Sequence, residues 1–140
     1  MQFSEEIIIK ATSNEIFNIY SKVNEWPSWD PDVVESSLFG DFSSGVQGVL
    51  KPVNGPKAKI HLTDVVQNKA FTVTSTLPLC KLVFEHELEE LEASTRVIHR
   101  VTFEGPLSRI FSRIIGPQIR RGLPETLKGL KNISENFSHG

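Results

Sequence analysis

The residues best suited to chemistry in this 140-residue chain are two histidines, His86 and His99. They flank a turn at Glu92-Ala93, in segments from Lys81 to Leu91 and from Ser94 to Glu104 that read as the strands of a hairpin. Pairing Leu91 with Ser94 sets the register. Equal steps back then bring Leu88 opposite Val97, His86 opposite His99, Phe84 opposite Val101 and Leu82 opposite Phe103, all on one face. The other face carries Lys81, Glu85, Glu87, Glu89, Arg96, Arg100, Thr102 and Glu104, a pattern suited to solvent. Two imidazoles side by side on an apolar wall can anchor a ligand carbonyl or hydroxyl. They can also form an acid/base pair for enolisation, aldol closure or loss of water, because imidazole titrates near neutrality. The bland alternative is that each is a core histidine satisfied by a neighbour.

The same counting across the Gln67-Asn68 turn places Phe71 beside His86 and Asp64 opposite Phe71, provided that no bulge intervenes. Asp64, Phe71, His86 and His99 would then make one row in a wall of Ile60, Leu62, Val73, Leu82, Phe84, Val97, Val101 and Phe103. Small-molecule sites are built this way, from an apolar cavity with a few convergent polar groups. Two adjacent imidazoles are too few for a metal site, and His61 alternates to the outer face, so neither metal nor other cofactor is expected. Cys80, the one cysteine, reads as a small core residue. Gly-x-Ser-x-Gly and phosphate-binding glycine loops are absent.

Aromatic residues cluster a second time in Asn24-Glu25-Trp26-Pro27-Ser28-Trp29-Asp30-Pro31. Two indoles on a proline-stiffened segment, expected to be extended or turning, are suited to covering or plugging an apolar cavity; the alternative is packing alone. Asp30-Pro31 reads as a turn.

The elements that must hold these residues follow from periodicity. A strand from Phe3 to Lys10 leads into a helix whose Thr12 and Glu15 have capping-box spacing and whose apolar face is Ile16, Phe17, Tyr20 and Val23. From about Ser36 to Glu104 short alternating segments separated by turn signals form a six-stranded antiparallel meander with one wet face, as Lys57, Lys59 and His61 against Ala58, Ile60 and Leu62 illustrate. The C-terminal third provides the cover: one apolar stripe is Leu107, Ile110, Phe111 and Ile114, and a second, rotated by roughly a third of a turn, is Ile119, Leu123, Leu127, Leu130, Ile133 and Phe137. The offset falls at Gly116-Pro117, where a kink or break is expected, with Pro124 a candidate for a second bend. Arg109, Arg113, Arg120, Arg121, Lys128 and Lys131 make this region basic. A solvated face explains that charge, as does weak electrostatic contact with an anionic surface if the apolar residues between face the core. Arg120, near the break, is the candidate to meet a ligand carboxylate or phosphate at the cavity mouth.

Bulk properties narrow the classes. Hydrophobic residues make up 39% and charged residues 23%, as in a soluble globular protein. The formal charge of −2, from 15 basic and 17 acidic residues, gives no reason to expect nucleic acid as a partner. No apolar run reaches the roughly 20 residues that span a bilayer, and the first residues lack a signal-peptide pattern. A single domain over residues 1–140, cytoplasmic, monomeric or weakly dimeric, is expected.

This element order, together with Ile9-Lys10-Ala11-Thr12-Ser13-Asn14-Glu15-Ile16-Phe17, Trp26-Pro27-Ser28-Trp29-Asp30-Pro31, Phe84-Glu85-His86-Glu87-Leu88 and Gly105-Pro106-Leu107, resembles the START-like (SRPBCC, Bet v 1-like) superfamily, and within it the small bacterial polyketide cyclase/dehydrase-like proteins. The resemblance spans nearly the whole chain. It implies an α+β helix-grip fold: a curved antiparallel seven-stranded sheet around a long C-terminal helix, with short helices between strands 1 and 2 and a cavity between sheet and helix. Fold does not fix function, and the superfamily holds carriers, cyclases, hydrolases and chaperone-type proteins. The tyrosine-rich segment of its ubiquinone-chaperone and toxin-like branches is replaced here by the tryptophan pair. The expected activity is binding of a hydrophobic or aromatic small molecule, lipid- or polyketide-like. The alternatives are a cyclase or dehydratase using His86 and His99, and a chaperone-like interaction module. The expected ligand contacts are Trp26, Trp29, Asp64, Phe71, Phe84, His86, His99, Val101 and Arg120.

Overall fold

In a computed structural model the backbone is described over residues 2–139 and the side chains through residue 136. Phe137 of the second helical stripe lies outside the described side chains. Strand β1 (Gln2–Ile9) leads into α1 (Ser13–Ser21) and a 3-10 helix (Val23–Ser28), followed by β2 (Val33–Leu38), β3 (Gln47–Pro52), β4 (Ala58–Val66), β5 (Ala70–Leu77), β6 (Cys80–Glu90), β7 (Thr95–Glu104), α2 (Ser108–Ile114) and α3 (Gly116–His139). The strands form one antiparallel seven-stranded sheet in the order β1-β7-β6-β5-β4-β3-β2, so the meander is closed at its β7 edge by β1. The sheet curls as a half-barrel around the long C-terminal helix.

Local sequence chemistry accounts for the start of α1. The Thr12 hydroxyl accepts from the Glu15 amide at 3.1 Å while the Glu15 carboxylate accepts from the Thr12 amide at 3.3 Å, satisfying donors that the first helical turn leaves without partners. Ile16, Phe17 and Tyr20 are then buried on one side. Of the extended or turning paths expected for the Trp segment, the chain takes the turning one. Val23–Ser28 winds as a 3-10 helix through Pro27, since a single missing N–H costs little in so short a piece.

The α2–α3 break falls at Ile115, just before Gly116-Pro117, where a proline in the first turn is harmless because its N–H would have had no partner. α3 continues through Pro124 as helix. Leu123, Leu127 and Leu130 are buried. The first stripe needs correction: Ile110 and Ile114 are 54% and 66% exposed, and the side of α2 turned inward carries Leu107, Phe111 and Ser112. Seven residues make only about two turns, and the helix is pinned at its start by the Leu107 amide donating to the Leu79 carbonyl at 3.1 Å.

Apolar burial forms two groups. One joins Ile9, Phe17, Tyr20, Phe71 and Val97 to Leu127 and Leu130 of α3; the other joins Cys80, Leu82, Val101 and Phe103 to Leu123. Glycines let the Trp segment lie directly on α3. A β-carbon on Gly129 would overlap the Trp29 carbonyl oxygen, and one on Gly122 would overlap the Asp32 carboxylate.

Candidate functional site

The β6–β7 hairpin has the counted register, with His86 opposite His99, Phe84 opposite Val101 and Leu88 opposite Val97. Phe71 of β5 pairs with His86. On β4 the counting fails: a bulge between Leu62 and Asp64 pairs Phe71 with Val65 and Asp64 with Thr72. The extra residue turns Asp64 to solvent, so it leaves the histidine row.

A cavity of about 300 Å3 opens beside this hairpin, at the small end of the range for small-molecule sites. Its walls are mostly apolar and include Ile60, Val73, Leu82 and Phe84 from the sheet, Ile115, Ile119 and Leu123 from the helices, and both tryptophans. His86, His99, Tyr20, Asp30 and Thr126 give it a polar end. Trp26 and Trp29 are 7% and 8% exposed, so the pair is part of the wall, more hidden than a cover would be. The Trp26 indole N–H donates to the Tyr20 carbonyl at 2.9 Å, whereas the buried Trp29 indole N–H has no acceptor among the described residues.

Three other expected contacts are elsewhere. Phe71 is buried behind His86, stacked on it at 4.0 Å with ring planes 5° apart, and does not line the cavity. Val101 packs among Cys80, Leu82, Phe103 and Leu123 and does not line the cavity. Arg120 extends to the opposite edge of the sheet, its guanidinium 4.8 Å from the centre of the Phe3 ring in β1, a cation–π contact that keeps it from the mouth.

Burial determines the protonation of the polar end. His86 Nδ1 lies 3.2 Å from the Phe71 carbonyl oxygen; since a carbonyl only accepts, Nδ1 carries the proton and Nε2 keeps its lone pair. Burial pulls His86 down to about 4, against the carbonyls of Phe71 and Phe84, which favour the cation. His99 is pushed well below its ordinary value by burial and then by His86, whose ring centre is 4.5 Å away. Both imidazoles are therefore neutral at pH 7. The Tyr20 phenol lies 2.5 Å from His99 Nε2, and burial, followed by the charge of Asp30, pushes it well above 10. Between a neutral phenol and a neutral imidazole the better donor is the phenol, so Tyr20 donates to His99. Tyr20, His99 and His86 thus form a neutral polar cluster in an apolar wall.

Of the titratable groups at the polar end, Asp30 is the one brought closest to neutrality. Its Oδ1 accepts from the Thr126 hydroxyl at 2.8 Å and from the Asp32 amide at 2.9 Å. Burial nevertheless pushes it up to about 6. The Asp32 bond is the expected turn; the burial and the bond to α3 were not anticipated. Neither Tyr20 nor Asp30 was read as a site residue. A phenol on an inward apolar stripe requires a partner, and a carboxylate between Trp29 and Pro31 is carried inward with the indole; those were the available signals. Among the described residues no group of three or more His, Cys, Asp and Glu is placed to hold a metal ion.

Residues 1–135 match the family model for polyketide cyclase/dehydrase and lipid transport. The chain belongs to this family. Solved structures agree on the fold. A START superfamily protein from Mycobacterium smegmatis is 16% identical with a TM-score of 0.73, over 97% of this chain and 98% of that one. Truncated norcoclaurine synthase from Thalictrum flavum is 15% identical with a TM-score of 0.73, over 95% and 92%. The di-domain ARO/CYC StfQ of the steffimycin biosynthetic pathway is 10% identical with a TM-score of 0.76, over 99% of this chain and 52% of that one. At these identities the similarity is one of fold. Among curated proteins none matches the sequence. Family and fold together indicate ligand binding or cyclase/dehydrase-type chemistry, and no described helix is long and apolar enough to cross a membrane.

Proposed function

We propose that this protein binds a neutral, largely apolar small molecule, aromatic or polyketide-like, in the cavity between the sheet and α3. The observation that carries the reading is the cavity: about 300 Å3, apolar around most of its wall, with His86, His99, Tyr20 and Asp30 converging at one end. Its size favours one or two fused rings or a single short chain over a two-chain lipid. The lining includes Asp30 and Asp32 and no lysine or arginine, which disfavours an acidic ligand. The lone pair on His86 Nε2 suits a ligand hydroxyl. Neutral imidazoles held this far below pH 7 bind better than they shuttle protons, because acid/base catalysis works best with a pKa near the operating pH.

Asp30 favours a second reading, of cyclase or dehydratase type, since a buried carboxyl near 6 in the cavity wall can take and return a proton at neutral pH. Affinity and turnover measured together for 2-naphthol-like and polyketide-like compounds separate the two. A binder loses affinity in the His86→Ala, His99→Ala double variant and keeps it in Asp30→Asn. An enzyme keeps affinity in Asp30→Asn and loses turnover there. Unchanged affinity and turnover in both variants would make the polar end structural and defeat the proposal.

A further inference from the structure

Helix α2 exposes Ile110 and Ile114, one turn apart on its outer face, at 54% and 66%. The turn between β5 and β6 lies against the start of α2 through the Leu107–Leu79 hydrogen bond, and Leu79 is 65% exposed. Singly exposed apolar residues are ordinary; three gathered at one end of the molecule are less so. From Gly105 to Pro124 the chain has four arginines and no acidic residue. Arg109, Arg113, Arg120 and Arg121 are all exposed, and among the described residues none is in an ion pair. At 100° per residue Arg109 and Arg113 flank the Ile110–Ile114 stripe on the side away from Phe111. The result is a short basic amphipathic face turned outward.

This face adjoins the cavity. Ile114 points to solvent while Ile115, the next residue, lines the cavity, as do Gln118 and Ile119 at the start of α3. The exposed part of the lining is Val53, Asn54 and Pro56 in the β3–β4 turn, together with Gln118, so the mouth opens beside the α2–α3 junction.

We infer that α2 is a docking face for an anionic lipid surface, which brings the cavity mouth against the membrane. Isoleucines flanked by arginines fit the interface between acyl chains and anionic headgroups. An acidic soluble protein would use the arginines and leave the isoleucines and Leu79 without a role, so charge and apolarity together favour the lipid surface. Contact would be peripheral and reversible. It does not depend on which ligand the cavity takes.

The test is flotation of the full chain with vesicles of equimolar phosphatidylglycerol and phosphatidylcholine, set against phosphatidylcholine alone. Binding is expected to the anionic vesicles only and to weaken with salt. Arg109→Ala with Arg113→Ala should weaken it about 25-fold, at about fivefold for each arginine, while Arg109→Lys with Arg113→Lys should largely retain it. Ile110→Ser with Ile114→Ser should weaken it roughly tenfold or more, with little change in melting because both side chains are more than half exposed. No binding to anionic vesicles, equal binding to neutral ones, or binding indifferent to these substitutions would overturn the inference. So would a concentration-dependent dimer that the Ile110→Ser, Ile114→Ser variant abolishes without any vesicle binding.

Discussion

The two faces of the β6–β7 hairpin are made by the same two strands, residue by alternating residue, yet they solve opposite electrostatic problems. On the outer face Arg100 binds Glu85 at 3.0 Å and Glu87 at 2.8 Å, and Arg96 binds Glu89 at 3.0 Å and Glu6 at 3.2 Å. These side chains are partly to largely exposed, so water shares the work. On the inner face burial holds His86 and His99 neutral, and contacts orient them, the Phe71 carbonyl and ring for His86 and the Tyr20 hydroxyl for His99. The difference shows that burial, more than residue type, decides what these titratable groups can do. A salt-bridge network on the outside should contribute little stability, and a neutral cluster on the inside should contribute much.

The largest break in the comparison should come from Phe71→Ala. Phe71 contacts the rings of Phe17, Tyr20, Trp26, Phe42 and His86, and its removal should cost about 3 to 5 kcal/mol in urea unfolding and let the His86 pKa rise toward 6.5. A loss below about 1 kcal/mol would show that the inner cluster does not depend on its platform.

Next in size is the pH dependence. The folded-state value of His86, about 4, lies below its ordinary 6.5, so the folded state holds fewer protons than the unfolded one between those values. Its contribution is fully present above pH 6.5 and is lost as pH falls through 4, about 3 kcal/mol in all. In His86→Asn the amide can still donate to the Phe71 carbonyl and does not titrate, so this variant should lose less stability between pH 7 and pH 4 than the parent. Equal losses would remove His86 as the source. Asp30, raised to about 6 from 3.8, runs the other way: its contribution is greatest below pH 3.8 and is lost as pH rises through 6. The smallest effect belongs to the outer face, where Arg100→Ala should change stability by less than about 1 kcal/mol and less still in high salt. A cost comparable to that of Phe71→Ala would erase the distinction between the faces.

The hairpin was legible from sequence because a short turn fixes the register and period-two alternation then assigns every residue to a face. The same arithmetic failed one strand beyond β5, where the bulge after Leu62 inserts a residue that no local signal marks, and Asp64 went to the wrong side. Arg120 was misplaced for a different reason. A long cationic side chain near a helix break has several surfaces within reach, and the Phe3 ring on the first strand becomes visible only once β1 is paired with β7. Ile110 and Ile114 fit an inward helical stripe, but a seven-residue helix has too little length to bury a wide one. Tyr20 and Asp30 were legible as core and as turn, and both readings hold. Their place in the cavity required knowing that the 3-10 helix and α3 fold back onto the histidine row.

The central claim is that a neutral aromatic ligand sits against His86 and His99. Side-chain 1H–15N NMR of the two imidazoles at pH 7, during titration with 2-naphthol, tests it most directly. The account predicts two neutral imidazoles in the free protein, His86 protonated on Nδ1, with both sets of resonances shifting saturably as the ligand binds. Charged imidazoles in the free protein, or resonances that stay fixed while 2-naphthol binds elsewhere, would contradict it.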